Sequence, residues 1–112
     1  MQSISFTCNW NNKLACDAFT TIRLFQPRKY VVGQSYNILL KGRHLADAVI
    51  VDIRRFLLDD LSNFVAYLDT GYSKENCTGI IRKMYPTVDF NTTYLSLILL
   101  HKTKPTHITP PP

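Results

Sequence analysis

Tyr36-Asn37-Ile38-Leu39-Leu40-Lys41-Gly42-Arg43-His44-Leu45-Ala46-Asp47-Ala48-Val49-Ile50-Val51-Asp52-Ile53-Arg54-Arg55-Phe56 reads as two strands folded back on each other. Tyr36–Leu40 and Leu45–Phe56 flank the connector Lys41-Gly42-Arg43-His44. Gly42 can take the positive φ that a tight turn requires, so the segment predicts a β-hairpin. Around Ala48–Val51 the second strand is apolar on both faces. A strand with no polar face predicts burial from two sides, as inside a closed barrel rather than at an open edge.

Two helices are expected downstream. Leu61, Phe64, Val65 and Leu68 fall at i, i+3, i+4 and i+7, one apolar stripe with Phe64 in its middle. Asp59 and Asp60 can cap its start and oppose the positive end of its dipole, and Gly71 can end it. Cys77, Ile80, Ile81 and Met84 repeat the pattern, with Ser73 as cap and Pro86 as stop. Thr93–His101 is a final strand, again apolar on both faces. Upstream of the hairpin, Phe25–Gly33 is a loop broken by Pro27, Phe19–Leu24 is a strand, Trp10–Cys16 a short helix and Ser3–Thr7 a weak strand pattern. Strands that pair together while helices bunch together predict an α+β domain over residues 1–102. Thr103–Pro112 carries four prolines and reads as a disordered, proline-rich tail.

The chain has 112 residues, enough for one domain and too few for two. Its hydrophobic fraction of 46% supports a core without staples. A net charge of +5 suits a polyanionic partner such as RNA or DNA. The longest apolar stretches are strand-length, so no membrane span is expected, and Met1–Cys8 lacks the basic and apolar regions of a leader. Three cysteines, Cys8, Cys16 and Cys77, are poor material for a disulfide framework. A cytoplasmic setting is therefore expected, in which the N-x-T triplets at Asn76 and Asn91 carry no meaning. No Cys-x-x-Cys or His-x-x-x-His pair occurs, so no metal site is expected. The glycines are too scattered for a phosphate loop, and no cofactor is expected.

Several segments, taken in order, are similar to one known family. Phe19-Thr20-Thr21-Ile22-Arg23 resembles the Thr-x-Arg strand of ASCH domains. Val32-Gly33-Gln34-Ser35-Tyr36 is similar to the family's glycine turn into a barrel strand, and Asp47–Ile53 to its central strand. Leu68-Asp69-Thr70-Gly71-Tyr72 looks like its acidic and Gly-aromatic stretch after a helix. The resemblance runs from Ile4 to about Lys102. It implies a PUA-like mixed β-barrel with flanking helices, and a cleft between them for RNA or a nucleoside. Some small bacterial members look like amidohydrolases that deacetylate acetylcytidine with a Lys, a Thr and a Glu. The threonine carries over to Thr21, and the glutamate falls near Asp69 or Thr70. The lysine position is Ala18, and alanine cannot activate a nucleophile. Lys13 would have to reach across a helical segment to substitute. The resemblance with this departure implies a binding module for RNA or a modified nucleoside. A small hydrolase built on Thr21 and Asp69 is the first alternative, and a protein-interaction adaptor the second.

The candidate ligand-binding residues follow. Thr21 and Arg23 should share one strand face, with Ile22 on the other and Thr20 beside them. Arg23 can grip a phosphate or carboxylate bidentately, or pair structurally with Asp47 or Asp52. Arg28, Lys29 and Tyr30 in the loop, and Lys41, Arg43 and His44 in the hairpin, mix cations with aromatics, a combination suited to single-stranded RNA. Arg54 and Arg55 add to them. Asp69 can be a general base in an apolar cleft, or a helix-end carboxylate bonded to its own turn. Tyr72 completes the set.

Overall fold

The computed structural model describes residues 1–104. The proline-rich remainder of the expected tail lies outside the described residues. Five strands, β1 (Gln2–Phe6), β2 (Ala18–Leu24), β3 (Ser35–Leu40), β4 (Arg43–Phe56) and β5 (Leu95–Lys102), form one sheet in the order β1-β3-β4-β5-β2. β1 runs parallel to β3, and the other neighbours pair antiparallel. The helices α1 (Asn63–Thr70) and α2 (Lys74–Met84) separate β4 from β5, with 3-10 turns over Trp10–Ala15 and Leu58–Asp60. The α+β expectation holds at this level. The hairpin turn is tighter than expected: Lys41 (φ 51°) and Gly42 (φ 79°) alone join β3 to β4. Two successive positive φ values match the twist of paired strands, which is why glycine serves there.

The sheet curls into a half-barrel. Two bulges on β4 help to bend it. Leu45 is skipped opposite Ile38/Leu39, and Val51 opposite Leu99/Leu100. Each unpaired residue is exposed, and a bulge bends and twists its strand. The second bulge also shifts the alternation: Ala48 and Ile50 face the core before it, and Ile53 after it. The expectation that Val51 is buried fails for this reason.

One core joins all five strands: Ile4 and Phe6, Phe19, Tyr36 and Ile38, Ala48 and Ile50, Ile98 and Leu100. It fills the concave face. A second core holds Ile22, Leu24, Leu95, Leu97 and Phe56 against Ala66, Cys77 and Ile81 of the helices. β5 is apolar on both faces because a core lies on each side. Barrel closure is not needed to explain it, and β1 and β2 remain the sheet's edges. Side chains link those edges: Arg23 Nη2 donates to the Ser5 carbonyl at 2.7 Å, and Phe6 meets Phe19 edge-on at 6.1 Å. At the other end of β5, Thr103 donates its amide to the Asp47 carbonyl at 3.0 Å.

The first helix departs from its expected stripe. Ser62, not Asp59 or Asp60, caps α1, its hydroxyl accepting from Val65 N–H at 3.1 Å. Asp59 and Asp60 lie in the preceding 3-10 turn. Leu61 precedes the cap and packs in the cluster that also holds Ala66, a hydrophobic staple. Starting the helix at Asn63 turns Ala66, Asp69 and Thr70 inward and leaves Phe64 75% exposed and Leu68 56% exposed. Gly71 ends α1 with φ 80°, as expected. Ser73 caps α2, whose Cys77 and Ile81 are buried while Met84 is exposed.

Candidate functional site

The edges of β1 and β2 approach without pairing, and a cavity of about 170 Å³ lies there beneath α2. Its polar wall is Lys13, Thr21, Arg23, Asp69 and Thr70; its apolar wall includes Phe6, Trp10 and Ile80. Lys13 and Asp69 are both buried and pair at 2.8 Å through Nζ and Oδ1. Thr20 Oγ1 donates to the same carboxylate oxygen at 2.8 Å. Arg23 Nε donates to Thr21 Oγ1 at 3.0 Å. The Phe6 ring has a cation on each account, Arg23 at 4.7 Å and Lys13 at 5.7 Å from its centroid. Such contacts strengthen when water is excluded. Two cations against one carboxylate leave the cavity net positive.

Burial pushes the Lys13 ammonium below its ordinary value of 10.5. The Asp69 carboxylate and its hydrogen bond oppose that shift, while nearby Arg23 adds to it. Beneath the site, burial pushes the Cys77 thiol up from 9.0. A buried amine shifted in this direction, inside a cleft and held by a carboxylate, has the attributes of a functional group.

The chain brings Lys13 inward by a local device. Asn11 (φ 59°) and Asn12 (φ 51°) both adopt the left-handed region, which asparagine tolerates better than most residues. The expected short helix is thereby a kinked 3-10 segment. Asn9 Oδ1 accepts from Leu14 N–H at 2.9 Å, and Asn11 Nδ2 donates to the carbonyls of Tyr67 and Leu68, both at 3.4 Å. The segment therefore docks on the end of α1. Gly71 abuts the segment: a Cβ there would meet the Asn11 side chain at 3.4 Å, an ordinary contact, so it is the φ of 80° that favours glycine.

Of the residues singled out from sequence, Thr20, Thr21, Arg23 and Asp69 converge here. Thr21 and Arg23 share a face, as alternation requires. Arg23 pairs with neither Asp47 nor Asp52: those carboxylates bind His44 and Arg54 at 2.8 and 3.3 Å. Asp69 is no carboxylate bonded to its own turn, because Lys13 and Thr20 hold it. Tyr72 lies just outside the cavity, edge-on to Trp10 at 5.8 Å. Arg28, Lys29, Tyr30, Lys41 and Arg43 do not line the cavity. Tyr30 is a core residue with Lys29 over its ring at 5.4 Å. Arg28, Lys41 and Arg43 are exposed. Arg55 stacks between Phe25 and Tyr94 at 5.3 and 4.4 Å.

Sequence reasoning underrated Lys13 and missed Trp10, Phe6 and Ile80. The adjacent asparagines, both suited to a reversal, were the available signal for Lys13. Comparison with family models, curated proteins and solved structures returned no match. Among the described residues no cluster of His, Cys, Asp and Glu suits a metal ion, and no helix is long and apolar enough to cross a membrane.

Proposed function

We propose that this cavity binds a nucleobase, free or carried by RNA, and that Lys13, Thr21 and Asp69 hydrolyse an acyl amide on it. The observation that carries the reading is the buried Lys13 amine in one cavity with Thr21 and Asp69. Ala18 spoke against an enzyme because a lysine was missing there. Lys13 supplies an amine from another position, so that objection falls. The half-barrel, with its parallel β1–β3 pair and its cleft against the helices, supports a PUA-like reading of the fold, and with it the likeness to ASCH domains. Three free thiols suit a reducing, cytoplasmic setting.

The chemistry is acyl transfer. Thr21 Oγ attacks the acyl carbon and passes its proton to the neutral Lys13 amine. The hydrogen bond from Arg23 favours developing charge on Thr21. The carbon–nitrogen bond breaks as Lys13 returns the proton to the leaving base nitrogen, and water hydrolyses the threonyl ester. Asp69 holds and orients the amine. The net positive cavity favours the oxyanion. Incubation with acetylcytidine, followed by chromatography of cytidine and acetate, tests the proposal. Turnover lost in Thr21→Ala and Lys13→Ala is expected, and turnover that survives both substitutions refutes it.

A second reading is binding without catalysis, as the sequence led us to expect. The engagement of Lys13 by Asp69 favours it, because the carboxylate holds the amine protonated and an ammonium cannot accept the threonine's proton. Binding of the nucleoside with no product formed would select this reading.

A further inference from the structure

The cavity is small. At about 170 Å³ it falls short of the ~300–1,000 Å³ typical of complete small-molecule sites. It opens beside Trp10 and Ile80, which also line an adjoining open groove with Tyr72, Asn76, Gly79 and Lys83. On α2, Asn76, Gly79, Ile80 and Lys83 fall on one face, away from the buried Cys77 and Ile81. Tyr72 is 45% exposed although its ring packs on Trp10. Gly79 has no positive φ to justify glycine, and glycine weakens a helix interior. Nothing stands within 4 Å of where its Cβ would be. Its contribution is a flat floor in the groove. Among the described residues Lys83 forms no ion pair.

An aromatic edge, a flat floor and an unpaired cation are the elements of a base-stacking shelf with a phosphate contact. We infer that Trp10, Tyr72, Gly79 and Lys83 form a second subsite that holds the neighbouring nucleotide of a single-stranded polynucleotide, whose target base enters the cavity. This rests on the base-binding reading of the cavity and extends it: the natural ligand is a strand rather than a free nucleoside. The chain's net charge of +5 suits such a polyanion.

The chain has a single tryptophan, where the cavity meets the shelf, so its fluorescence reports on ligand at this junction, and the Tyr72 and Lys83 variants separate the shelf's share. The experiment titrates the intact protein with cytidine, a short single-stranded oligocytidylate and its DNA counterpart. The strands should bind about tenfold or more tighter than cytidine and quench Trp10. That ratio should collapse toward one in Tyr72→Ser and Lys83→Gln, whose positions are exposed and whose folding is checked by melting. Salt should weaken the strands more than cytidine. If cytidine binds and the strands gain nothing, or the gain survives both substitutions, the shelf is refuted while the cavity reading stands. If cytidine fails to bind but the strands still quench Trp10, the cavity reading fails and the shelf stands. Quenching by peptides but by neither strand would refute the shelf in favour of protein docking.

Discussion

Replacing Lys13 with Met removes one charge from the buried pair and keeps the length of the side chain. Lys13 and Asp69 side chains are 7% and 6% exposed, so the scale for buried pairs applies. Leaving one partner of such a pair unmatched costs about 3–5 kcal/mol. Thr20 still donates to the carboxylate, which argues for the lower end of that range. The whole stability of a domain this size is about 5–15 kcal/mol, so the loss is a large share of it. The melting temperature should fall by about 12–20 °C. Replacing both partners, Lys13→Met with Asp69→Leu, removes the stranded charge. The double variant should recover about 2 kcal/mol or more, since apolar substitutes for buried pairs are often tolerated. Urea denaturation of wild type, both single variants and the double variant measures the coupling. A loss below about 1 kcal/mol in Lys13→Met, the scale of an exposed pair, would refute the claim that this pair is buried.

Further outcomes follow from the same structure. Phe64→Ala should cost less than about 1 kcal/mol, because that ring is 75% exposed, whereas Ile98→Ala, fully buried, should cost about 2–5 kcal/mol in the same denaturation assay. A thiol reagent should label Cys8 and Cys16 in the native protein and reach Cys77 only in denaturant; native labelling of three thiols would contradict the burial of α2. Turnover of acetylcytidine should rise with pH through a group titrating below 10.5: burial lowers the Lys13 value, and the neutral amine is the working base. A rate that falls across that range would assign Lys13 a purely cationic role.

Local signals in the sequence reached far into the fold. Gly42 marked the hairpin turn, Ser73 and Gly71 marked helix ends, and the Thr-x-Arg alternation put Thr21 and Arg23 on one face. The misreadings have physical causes. Val51 looked buried because an apolar run does not reveal a bulge. Phe64 looked buried because two stripes on α1 compete, and the more apolar one lost. The inward stripe, through Asp69 and Thr70, is polar because it faces Lys13 and Thr20 rather than a hydrophobic core. Lys13 itself was placed by the left-handed Asn11 and Asn12 and by the docking of Asn11 on α1, a long-range contact that no local pattern encodes. The basic and aromatic residues of the hairpin and loop had a composition suited to RNA, but composition does not say which residues share a face, and the cavity gathers none of them.

The most direct test of the cavity as the ligand site is an NMR titration of isotope-labelled Thr21→Ala protein with acetylcytidine, since that variant should bind without turnover. Amide shifts should concentrate at Ser5–Cys8, Lys13, Ile22, Arg23, Asp69 and Thr70, which border the cavity. Shifts confined to Arg28–Tyr30, Lys41 and Arg43, with the cavity residues unmoved, would contradict the account.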